Sequence, residues 1–190
     1  MFISKVLNRA FLALTTFRII NSLRYEFQII IFAPNFIAMD FQENSKTYYA
    51  PMHTAEHILN QTMDRMFGCG RSCNSHIERK KSKCDYPINR ELTQQEISSI
   101  EIKVNEVIQQ KLEVTEDFIN LEQARKEFNL SKLPEDSGET IRIVRVGDYD
   151  ACPCSGVHVE NTSEIPPFFI ASASFENGAV RLRFKLSSVN

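Results

Sequence analysis

Two short segments far apart in the chain together read as the donor set of a single metal site: His53-Thr54-Ala55-Glu56-His57 and Cys154-Ser155-Gly156-Val157-His158. Each sets two donors four residues apart, and together they use three of the chain's four histidines. Imidazole and thiolate suit zinc (Zn2+), whereas magnesium and calcium take oxygen ligands. His53, His57, Cys154 and His158 are therefore the candidate ligands.

Such a site needs elements that hold both pairs. Residues 51–67 place Met52, Ile58, Leu59, Met63, Met66 and Phe67 mostly at helical spacing, with Pro51 in the first turn and Gly68 to Gly70 at the end. On that helix His53 and His57 leave one face. The second pair comes from a tight loop shaped by Pro153 and Gly156. Cys152 stands two residues before Cys154 and could replace it as a ligand or act as a nearby thiol. Four protein donors describe a structural zinc, while a catalytic zinc keeps a position open; spacing leaves both readings standing. Glu56 also gives the His-x-x-Glu-His form in which the glutamate of a zinc peptidase is the general base. Zinc lyases acting on S-ribosylhomocysteine carry such a motif as well, and either reading leaves His158 without a role. A zinc deaminase would need a second cysteine soon after Pro153-Cys154, and none follows. His76 lies outside both pairs and is placed on a hairpin surface. Cys69 and Cys73 could form a second half-site, but their lone spacing fits small buried thiols better.

Residues 76–86 read as an exposed, charged hairpin. Thr93, with Glu96 three residues on, opens a second helix with Ile97, Ile100, Val104, Val107, Ile108 and Leu112 as its stripe. Strands are expected over 114–119 and 140–146, with a short helix over 121–128 between them. Residues 168–175 and 179–186 flank Asn177-Gly178, a strong hairpin signal. The predicted fold class is α+β: an antiparallel sheet packed with helices, with the zinc site between the helical His-x-x-x-His and the loop Cys-x-x-x-His.

The chain has 190 residues, 43% hydrophobic and 24% charged, enough for one domain with a core. A net charge of −2 argues against wholesale phosphate coating but permits a local basic patch. Five cysteines, an odd number, fit a reducing, cytoplasmic setting better than a disulfide framework. Residues 1–38 are basic and apolar with one acid, Glu26, and their apolar runs fall short of the ~18 residues of a membrane span. That stretch reads as an upstream frame before Met39, or alternatively as a transit-like extension, with the domain over 39–190.

From about Met52 to Leu186 the chain resembles the editing domain of alanyl-tRNA synthetases and the related domain of threonyl-tRNA synthetases. The resemblance is carried by His53-Thr-Ala-Glu-His57, a charged hairpin, a long helix, Arg142-Ile-Val-Arg-Val-Gly147-Asp148, and Cys154-Ser-Gly-Val-His158-Val-Glu-Asn-Thr162-Ser-Glu164-Ile165. It implies a zinc-dependent module that hydrolyses mischarged tRNA in trans, Ser-tRNA of the alanine or threonine system, with His53, His57, Cys154 and His158 as ligands and Glu56 behind them. The family usually reads Cys-Gly-Gly-Thr-His, so Val157 here replaces a threonine hydroxyl with a methyl. A polyanionic substrate asks for cations. Arg79, Lys81 and Lys83 alternate along the expected hairpin, as do Arg181, Arg183 and Lys185 on the last strand, so each set would share one face. The rival class is a zinc-stabilised RNA-binding module without catalysis.

Overall fold

The computed structural model describes residues 49–130 and 138–187; the expectation for residues 1–38 lies outside the described residues. Helix α1 (Ala50–Phe67) begins with Pro51 in its first turn and ends at Gly68. Gly68 has φ 61° and donates its N–H to the Asp64 carbonyl, a left-handed stop that glycine adopts without strain. Buried Met52, Ala55, Ile58, Leu59 and Met63 form its core face. Helix α2 (Gln94–Gln109) carries the reciprocal capping box of Thr93 and Glu96 and buries Ile100, Val104, Val107 and Ile108. It stops short of Leu112, because Lys111 takes a positive φ and turns the chain. Helix α3 (Leu121–Glu127) is short and capped by Asn120.

The strands are β1 (Asn74–His76), β2 (Ser82–Tyr86), β3 (Val114–Asn120), β4 (Thr140–Val146), β5 (Asp150–Pro153), β6 (Phe168–Glu176) and β7 (Ala179–Leu186). They make two antiparallel sheets where one was expected: four strands in the order β1-β2-β7-β6, and three in the order β3-β4-β5. Asn177 (φ 53°) and Gly178 (φ 77°) both lie in the left-handed region, as the tight β6–β7 turn requires. The expected exposed hairpin of residues 76–86 is half correct. β1 is exposed, but β2 is a central strand because β7 pairs along its other edge, so Cys84, Asp85 and Tyr86 are buried. Arg79 and Lys81 fall in the turn rather than on a strand, and do not share a strand face with Lys83.

The main core lies between α1, α2 and the inner face of the four-stranded sheet, with Tyr86, Phe168 and Phe184 fully buried. Each such side chain contributes about 1.5–3 kcal/mol through burial. A smaller cluster of Ala124, Ile141 and Ile143 seats α3 on the three-stranded sheet. Among the described residues no helix is long and apolar enough to cross a membrane.

Candidate metal centre

The first ligand pair stands on α1, and the second follows β5 in a loop that returns to α1. Cys154 Sγ lies 3.5 Å from His53 Nε2 and 3.3 Å from His158 Nε2. The His158 ring is centred 4.2 Å from His53 and 4.5 Å from His57. Donor atoms of all four residues lie within 4.8 Å of one another. A zinc tetrahedron with bonds of ~2.0–2.3 Å has edges of roughly 3.3–3.8 Å. The two sulfur–nitrogen distances already match those edges.

The other ring nitrogens have acceptors of their own. His53 Nδ1 is 3.1 Å from the Val157 carbonyl, which can only accept. His158 Nδ1 is 3.1 Å from Thr54 Oγ1, whose proton is directed to the Ala50 carbonyl. The hydroxyl therefore receives from His158, and it also receives from the Val159 N–H at 3.2 Å. His57 Nδ1 faces Asp150 Oδ2 at 3.2 Å; the direction is poor for a hydrogen bond, and that buried oxygen has no other partner among the described residues. With Nδ1 of His53 and of His158 carrying the proton, the Nε2 of each keeps its lone pair for a metal. The chemistry of the donor set fits zinc.

Electrostatics favour the ligand forms at Cys154 and His158. Burial pushes the Cys154 thiol up, but the imidazoles of His158, His53 and His57 outweigh it and bring its pKa down to about 3. Burial lowers His158. His57 is raised: burial acts against its charge, and Asp150, Cys152 and Cys154 overcome that effect. Burial likewise raises Asp150, while His57 and Arg71 lower it to a net value below the usual range.

Loop geometry is set by two residues. A Cβ on Gly156 would collide with the His53 ring at Cε1, so the backbone passes where only glycine fits. Arg142 Nη1 donates to the Cys154 and Gly156 carbonyls, each at 2.8 Å, while Glu116 holds its other nitrogens. We expect Gly156→Ala to push the loop from His53 and weaken metal binding by about 10–100-fold, as loss of an orienting contact does. Competition against a zinc chelator measures this, with circular dichroism checking that the helices persist; unchanged affinity would show that the loop moves freely.

Other expected residues lie elsewhere. Glu56 accepts from Asn60 Nδ2 at 2.6 Å and sits 4.0 Å from Cys84 of β2, within a buried polar group that includes Tyr86. The carboxylate at His57 is Asp150 instead, anchored by Arg71 Nη1 at 2.6 Å. His76 is exposed and paired with Glu78. Cys69 and Cys73 point to different backbone carbonyls, Cys69 to Met63 and Gly70, Cys73 to Asp85. Cys152 Sγ is 3.5 and 3.8 Å from the two His57 nitrogens, against the ring rather than along one lone pair. With His57 and Asp150 it makes a second buried donor group. The Arg71 cation on Asp150 opposes a further dication there. Lys83 lies on β2, and Arg181, Arg183 and Lys185 lie on β7. Sequence reasoning missed Asp150, Arg71 and Thr54. Only the acids at positions 148 and 150, just ahead of the cysteines, hinted at the first of them.

The family described as the threonyl and alanyl tRNA synthetase second additional domain matches residues 141–188, which contain Cys154 and His158. Alanine–tRNA ligase of Fervidobacterium nodosum is 34% identical over 139 residues, covering 73% of this chain and 16% of that protein. The enzyme of Bacillus pumilus is 34% identical over 123 residues, covering 64% and 14% respectively. That of Mycoplasma genitalium is 28% identical over 157 residues, covering 81% and 17%. The chain is thus related to the alanyl-tRNA synthetases through the region that includes this second additional domain. It spans about one sixth of the length of these relatives.

Proposed function

We propose that this chain is a zinc-dependent aminoacyl-tRNA deacylase that acts in trans on mischarged tRNA, Ser-tRNA of the alanine or threonine system. The observation that supports it most is the convergence of the Nε2 atoms of His53 and His158 on Cys154, beside His57, with the Nδ1 atoms of His53 and His158 turned to acceptors. Serine is the expected error because it is close in size to alanine and near-isosteric with threonine. A synthetase pocket rejects so small a difference poorly.

The reaction adds water across the ester. The water oxygen bonds to the acyl carbon, the bond to the ribose oxygen breaks, and the proton ends on that oxygen. When bound, zinc supplies Lewis acidity to a water or carbonyl, or a seat for the amino group. Thr54 holds His158 in orientation, Asp150 sets a negative charge beside His57, and Arg142 holds the loop. Val157, 55% exposed, forms the solvent edge of that loop. It offers methyl groups to the aminoacyl side chain. We place the activity within residues 39–190, the acceptor end of tRNA as partner, and a cytoplasmic setting in keeping with five free cysteines.

Four protein donors are also the number of a structural zinc, which keeps the non-catalytic RNA-binding reading in play. One assay separates the two. Purified protein should hydrolyse Ser-tRNA and lose that activity, together with its zinc, on chelation. Tight tRNA binding by metallated protein without any hydrolysis, across a panel of amino acids and tRNAs, would favour the structural reading.

A further inference from the structure

Strand register brings together cations that are distant in sequence. Lys83 of β2 is directly opposite Arg183 of β7, and Lys185 opposite Phe169 of β6. These positions alternate with the buried Cys84, Leu182 and Phe184, so they stand on the outer face of the four-stranded sheet. Antiparallel order places the start of β2, the end of β7 and the start of β6 at one end of that sheet. The Arg79-Lys80-Lys81 turn leads into β2 at this same end.

Charge is sorted along the face. At the far end Arg181 is spent on Asp85, at 2.7 and 2.9 Å, and on Glu176 at 2.8 Å. Arg183 reaches Glu176 only at 3.8 Å. Among the described residues Lys80, Lys81, Lys83 and Lys185 make no ion pair. Arg79 lies over the Tyr49 ring at 5.1 Å. Tyr49 is the N-cap of α1, and its carbonyl accepts the His53 N–H. Helical side chains lean towards the N-terminus. The Arg79 side chain, at the turn where this cationic end of the sheet begins, therefore lies beside the end of α1 that carries His53.

We propose that this end of the sheet, from Phe169 and Lys185 through Lys83 to the Lys80-Lys81 turn, is the track that carries the RNA backbone of the acceptor stem to the metal centre. Phosphate is the complement of cations without partners. Phe169, 41% exposed beside Lys185, offers a ring to an unpaired base. Arg181 is excluded from the track because Asp85 already holds it. The inference rests on the deacylase reading for the direction of the track, but not for its existence.

The probe is an uncharged acceptor-stem minihelix of alanine tRNA, titrated at several salt concentrations with the full chain. A Lys81→Gln, Lys83→Gln, Lys185→Gln triple variant should flatten the dependence of log affinity on log salt by about three and weaken binding on the order of a hundredfold at 0.1 M salt. Lys103→Gln, on α2, should change neither. A triple variant with unchanged slope, or one matched by Lys103→Gln, overturns the track. Hydrolysis of 3′-O-seryl-adenosine, which has no stem, keeps the two readings apart. If the triple variant retains this activity at the wild-type rate while its KM for Ser-tRNA rises, both stand. Wild-type protein that cleaves neither ester but loses minihelix affinity in the triple variant refutes the deacylase and leaves the track.

Discussion

Replacing His158 by Ala is expected to remove zinc and ester hydrolysis together. His158 Nε2 is 3.3 Å from Cys154 Sγ, so it supplies one edge of the donor set, and no other histidine of the described residues is placed to substitute. A structural-strength site binds zinc by about 10–16 kcal/mol, and removing one donor of four forfeits roughly a quarter of that, on the order of 100- to 1000-fold in affinity. Glu56→Gln is the companion measurement. Glu56 accepts from Asn60 at 2.6 Å within a polar group on the β2 side of α1. A glutamine there keeps an acceptor for Asn60, so the variant should keep its metal and most of its activity. A metallated, active His158→Ala beside a metallated, dead Glu56→Gln would sink the editing site and favour a peptidase or lyase with Glu56 as general base.

Asp150→Asn should lower zinc affinity by about 10–100-fold although no ligand is touched. Asp150 Oδ2 faces His57 Nδ1 at 3.2 Å, and Oδ1 accepts from Arg71 at 2.6 Å. Both neighbours are donors. An asparagine has only one acceptor oxygen, so its amide group must confront either the imidazole N–H or the guanidinium. The His57 ring loses the negative charge beside it, or Arg71 loses its counter-charge. Chelator competition gives the affinity, and the visible spectrum of the cobalt-substituted protein reports whether His57 still sits in the coordination sphere. A variant with lower melting temperature but wild-type metal affinity and cobalt spectrum would reduce Asp150 to a structural role.

The elements were largely legible because their signals are local. Pro51 and Gly68 bracket α1, Thr93 and Glu96 start α2, and Asn177-Gly178 turns β6 into β7. These devices act within a few residues, and the physics that stops a helix or closes a hairpin is complete in that window. The hairpin of residues 76–86 failed as an exposed unit for the opposite reason. Its polar sequence gives no sign that β7 will pair along β2, and the burial of Asp85 follows from that pairing together with Arg181.

The candidate centre divides in the same way. Spacing alone put His53 and His57 on one helical face and Cys154 and His158 on one loop, since a helix turn and a tight loop are short-range geometry. That the two pairs meet, that Asp150 rather than Glu56 backs His57, and that Thr54 orients His158 were decided by the tertiary structure. So was the joining of Lys83 to Arg183 across two strands. Each of these contacts links residues distant in the chain. Their proximity depends on how α1 packs and which strands pair, and no periodicity within either segment encodes that.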